Sequence, residues 1–135
     1  MQRELSSSRC VRVLLIACTL GVSTTIAAQA PAPTRSVKDG VYAAAQARRG
    51  GALFEEKCTN CHALRIWGQE WPGKSVFEVY DMIRNFMPED NPGSLSPQQT
   101  RDVVAYILQA NKIPAGKKEL PAVDDELKDL RLELP

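Results

Sequence analysis

Cys58, Cys61 and His62 stand in the run Cys58-Thr59-Asn60-Cys61-His62 and have the most definite chemistry in this 135-residue chain. Two thiols separated by two residues can add to the two vinyl groups of one porphyrin. The imidazole one position further on then falls beneath the iron. The spacing predicts one haem c, bound through thioethers at Cys58 and Cys61, with His62 as an axial metal ligand. Three other uses of such a pair fit less well. A disulfide would close a very small loop and stabilise little. A thioredoxin-like redox pair expects a preceding strand, and here a helical pattern precedes it. A structural zinc site wants four ligands, commonly Cys or His, and the chain has a single histidine and no second cysteine pair near this one.

With one histidine, a second imidazole on the iron is excluded. A methionine thioether is the usual partner in electron-transfer cytochromes and favours the ferrous state. Met82 shares an apolar helical face with Val79, Ile83 and Phe86, which reads as core packing. Met87 stands at the end of that helix, immediately before Pro88, where the turning chain can aim a side chain inward. Met87 is the expected sixth ligand, with Met82 or an open position as the alternatives.

Three helices must position these groups. Residues 41–57 carry Ala43, Ala44, Ala45 and Ala47, all strong helix formers, with Ala47, Gly51, Phe54 and Cys58 recurring at helical steps. Gly50 and Gly51 interrupt this helix at a cost of about 1 kcal/mol each relative to alanine, which suggests close approach of another backbone. Residues 75–86 begin with a Ser75/Glu78 capping box and end at Pro88. Residues 96–111 begin with Ser96, Pro97 and Gln99 and carry Val103, Val104, Ile107 and Leu108 on one stripe. A short fourth helix is expected around residues 124–132, where Leu127, Leu130 and Leu134 keep helical spacing. No strand-like alternation is visible, so the fold class is all-α, three main helices around one covalently bound haem.

The N-terminus reads differently. Arg3, Arg9 and Arg12 precede an apolar run over residues 11–26, and Ala27-Ala28-Gln29-Ala30 supplies small residues for cleavage. Residues 1–28 are expected to be a secretory signal peptide, 29–39 a flexible Pro/Ala-rich lead, 40–120 the haem domain and 121–135 a C-terminal tail. Leu15-Ile16-Ala17-Cys18 also resembles a lipobox, although its apolar region is short. Loss of residues 1–28 takes three of 17 basic and one of 16 acidic residues, leaving 14 against 15 and a formal charge of −1. No basic patch points to nucleic acid, and no stable membrane insertion is expected after cleavage. The expected location is the periplasm.

From about residue 40 to about residue 120 the chain resembles class I cytochromes c. In that family Gly-x-x-aromatic precedes the first haem cysteine by four residues, as in Gly51-Ala52-Leu53-Phe54 and Cys58. The resemblance implies that the first and last helices cross at Gly51, with Tyr106 packed there. Met87-Pro88-Glu89-Asp90-Asn91-Pro92-Gly93-Ser94-Leu95-Ser96 is similar to the methionine-ligand segment of small bacterial cytochromes c associated with quinoprotein (PQQ-dependent) alcohol dehydrogenases. Trp71 with Gly73-Lys74-Ser75 resembles a segment that lines the haem edge in that group. The chain departs from the pattern after His62, where Ala63 replaces a glycine and only eight residues precede Trp71. The shortened loop implies a more exposed haem edge.

The resemblance implies a non-enzymatic periplasmic electron carrier. Its expected partners are redox proteins, such as a periplasmic or membrane dehydrogenase and a terminal oxidase. A haem subunit permanently docked to a dehydrogenase through its leucine-rich tail is the alternative. A haem sensor or enzyme with an open sixth position is the third reading.

Overall fold

The computed structural model describes residues 35–62 and 71–133. The expected signal segment with Cys10 and Cys18, the lead up to residue 34, the loop at 63–70 and Leu134 lie outside the described residues.

The fold is all-α. Helix α1 spans Ala44–Lys57, α2 Val76–Phe86, α3 Pro97–Ala110 and α4 Asp124–Lys128. The two capping boxes set the starts of α2 and α3. Ser75 Oγ accepts from the Glu78 N–H while Glu78 Oε2 accepts from the Ser75 N–H at 2.7 Å. Ser96 and Gln99 repeat the exchange, with Pro97 at the first helical position, where its missing N–H costs nothing. Helix α1 has no side-chain cap. Its entry is fixed from a distance: Tyr42 is buried, its hydroxyl donates to the Ile113 carbonyl at 2.6 Å, and its own carbonyl accepts from the Gly116 N–H at 2.7 Å.

Helix α1 packs chiefly on α3. The glycine pair makes this possible, and its two members do different work. A Cβ at Gly50 would lie 1.7 Å from the Asp102 carbonyl oxygen, so here the two backbones touch. A Cβ at Gly51 would meet the Tyr106 ring at 3.1 Å, and Phe54 packs on the same ring with centroids 5.4 Å apart. Tyr106 is therefore where the resemblance implies it should be, but the closest approach is one residue earlier. Arg49 ties the same crossing with a two-pronged contact to the buried Asp102 carboxylate, both bonds at 2.9 Å, and reaches Glu119 at 2.8 Å.

The tail departs from expectation. Helix α4 stops at Lys128 rather than continuing to residue 132, and Leu130–Arg131 (β2) pairs in parallel with Arg35–Ser36 (β1). The reason is burial on alternate positions: Leu130 and Leu132 are both in the core, and a helix could not also deliver the Leu132 contacts. Leu132 donates its N–H to the Lys74 carbonyl and accepts from the Gly73 N–H, both at 2.9 Å. The last part of the lead, expected to be flexible, is thus held from Arg35 onward, with Val37 fully buried.

Two predictions follow from these contacts. Gly50→Ala should cost at least about 3 kcal/mol in a denaturant titration, because backbone must move to admit the methyl group. Gly51→Ala, facing a ring that needs only a small displacement, should cost clearly less. The backbone hydrogen bond from Ser75 holds the Glu78 carboxyl below the usual carboxylate range. Its contribution is therefore full above the unfolded-state pKa and is lost as pH falls through the depressed folded value. Glu78→Gln should flatten that part of the acid-unfolding curve.

Candidate haem-binding cleft

The Cys58–His62 segment is a tight turn closing α1. Cys58 caps the helix, donating its N–H to the Phe54 carbonyl at 2.8 Å. The Cys58 carbonyl in turn accepts from the Cys61 N–H at 3.2 Å and the His62 N–H at 2.8 Å. Thr59 Oγ1 donates to the Glu55 carbonyl at 2.9 Å. One more turn of near-helical chain thus places Cys58, Cys61 and His62 around a single opening. Cys61 is exposed and Cys58 half-buried. Burial pushes the Cys58 thiol up, against a smaller opposing effect of the Lys57 ammonium.

Met87 reaches the same opening from the end of α2. It caps α2 in an extended conformation, φ −122° and ψ 149°, and donates its N–H to the Ile83 carbonyl. The following loop is braced by Asn91 N–H to Pro88 carbonyl at 3.0 Å and by Arg84 Nη1 to the Gly93 carbonyl at 2.9 Å.

Cys58, Cys61, His62 and Met87 line one cleft with about 720 Å³ of free space, part of it open to solvent. Phe54, Ile83, Pro88, Leu95 and Val103 form its apolar walls, and Lys57, Asn60, Glu89 and Asp90 its polar members. Met82 is packed against the core and does not line the cleft. The donor set suits a covalently held haem: two thiols for thioether attachment, an imidazole and a thioether as iron donors, and mostly apolar walls.

Trp71 is placed differently. It lines a second, smaller apolar cavity with Val79, Val104, Ile107, Leu108 and Leu132 rather than the cleft of the four donors. Lys74 Nζ stands over its ring, 4.8 Å from the centroid. Sequence reasoning missed two features near the site. One is Asp102, whose carboxylate also accepts from Gln98 Nε2 at 2.8 Å; a buried acid next to an apolar stripe was its only signal. The other is Leu132, whose pairing with the Gly73-Lys74 segment is invisible locally. Glu119, three residues after Gly116 and outside any helix, completes the Arg49 contact. Asp124, Asp125 and Glu126 lie exposed, and Asp125 pairs with Lys128 at 2.8 Å.

Residues 45–107 match the family model described as Cytochrome C oxidase, cbb3-type, subunit III. The matched stretch carries Cys58, Cys61, His62 and Met87 and runs from α1 into α3. The match supports a c-type cytochrome domain. No curated protein and no solved structure matches the chain.

Proposed function

We propose, from this cytochrome c domain, that the chain is a periplasmic electron carrier with one haem c and His62/Met87 iron ligation. The observation that carries the reading is the convergence of two thiols, one imidazole and one thioether on a single apolar cleft. Cys58 and Cys61 would hold the haem through thioethers, and His62 and Met87 would supply the donors to its iron. The bound group supplies one-electron chemistry, cycling between Fe(III) and Fe(II). The chain's part is to fix and to tune. Phe54, Ile83, Leu95 and Val103 exclude water and disfavour the extra positive charge of the oxidised state. A thioether from Met87 acts in the same direction. No residue of the cleft is assigned a covalent step on a substrate.

The proposed exchange partners are a dehydrogenase as donor, with the quinoprotein alcohol dehydrogenases favoured by the Met87–Ser96 segment, and a terminal oxidase as acceptor. The description of the matched family favours a second reading, a haem subunit held within an oxidase assembly. The tail lends no support to such docking, because Leu127, Leu130 and Leu132 are buried against their own domain. Among the described residues no helix is long and apolar enough to cross a membrane. A stable monomer in size-exclusion chromatography supports the carrier, and purification only as part of a complex supports the subunit.

The deciding experiment is expression with haem-attachment machinery. Haem should stay with the polypeptide on a denaturing gel and be lost from the Cys58→Ala/Cys61→Ala double variant. The oxidised spectrum should show a weak iron–sulfur band toward the red that Met87→Ala removes and Met82→Ala keeps. A high-spin spectrum in the unaltered chain would overturn the Met87 assignment in favour of an open sixth position.

A further inference from the structure

An exposed phenylalanine immediately precedes the cleft wall in the chain. Phe86, the last residue of α2, keeps 62% of its surface accessible, although the next two residues, Met87 and Pro88, line the cleft wall. Isolated apolar side chains are common on protein surfaces. This one differs by its position and by its support. Its backbone lies between a helix and a loop that are pinned together, through Arg84 Nη1 on the Gly93 carbonyl and Met87 N–H on the Ile83 carbonyl.

Among the described residues the charges next to it in the chain have an acidic excess, two carboxylates against the one guanidinium of Arg84. Glu89 and Asp90 are exposed, belong to the same cleft, and form no ion pair with any described residue. Among the described residues, Lys57 of the same cleft pairs with Glu56 at 2.9 Å, while Arg84 donates to the neutral Gly93 carbonyl and keeps its positive charge. An exposed aromatic ring, followed three and four residues later by two exposed carboxylates, makes an apolar centre with a predominantly acidic border.

We propose that Phe86, Glu89 and Asp90 form the docking surface for a redox partner that presents basic side chains around an apolar centre. The inference rests on the electron-transfer function proposed above and adds the partner's chemistry. Covering the ring supplies the central anchor typical of protein interfaces, and the carboxylates orient the encounter and raise its rate. The surface is small, which suits a complex that must dissociate after each electron.

Two probes of the partner's chemistry test this on the haem-loaded full chain. The first is tris(1,10-phenanthroline)cobalt(III), a cationic aromatic oxidant. It takes one electron from the ferrous protein, giving ferric protein and cobalt(II) with no proton transferred. Its rate should fall about fivefold in Phe86→Ala and at least as much in Glu89→Lys/Asp90→Lys, while anionic ferricyanide should react faster with the charge-reversed variant. The second probe, inert tris(1,10-phenanthroline)ruthenium(II), should shift backbone amide resonances of residues 86–90 in the unaltered protein. Cobalt rates unchanged in both variants, or amide shifts confined to another face, would overturn the docking surface while leaving the haem assignment intact. A chain that never retains haem overturns the electron-transfer function instead, and the docking role with it.

Discussion

The contact between the backbones of α1 and α3 at Gly50 and Asp102 is the constraint on which the rest of the molecule depends. Helix α1 ends in the turn that carries both cysteines and the histidine, and α3 contributes Val103 to the cleft wall. Their separation at the crossing therefore sets the depth of the cleft. Asp102 acts twice at this point. Its carbonyl marks the limit of approach, and its buried carboxylate fixes the direction by gripping Arg49 with two parallel bonds. Hydrogen bonding to Asp102, and then to Glu119, raises the Arg49 guanidinium further above its ordinary value. An ion pair with one buried and one half-exposed member contributes geometry more dependably than stability.

Much of the helical framework was legible because its signals are local. Ser75 with Glu78 and Ser96 with Gln99 announce two helix starts within four residues each, and the structure carries both exchanges as hydrogen bonds. Gly50 and Gly51 were readable as a crossing but not separable. Spacing to Phe54 and Cys58 points to Gly51, whereas which glycine meets backbone depends on how α3 is rotated, and no local pattern encodes that.

The tail and Trp71 were illegible for the opposite reason. Strand β2 exists because Arg35–Ser36 lies beside it, nearly the whole domain away along the chain, and because Lys74 and Gly73 offer a carbonyl and an N–H to Leu132. Three residues of alternation at Leu130, Arg131 and Leu132 are too few to distinguish from a leucine stripe of helical period. Within the site, the difference between Met87 and Met82 was available from position alone, since one side chain sits where a helix ends and the other in the middle of its apolar face.

The parallel pairing of β1 with β2 has a mechanical meaning. Chain ahead of Arg35 leaves from the start of one strand, and chain beyond Glu133 leaves from the far end of the other. A pull between these two directions slides the strands along each other and loads their hydrogen bonds together, whereas a hairpin opens one bond at a time. Tension between the flanking segments is thus borne by the small sheet before it reaches the helices around the cleft.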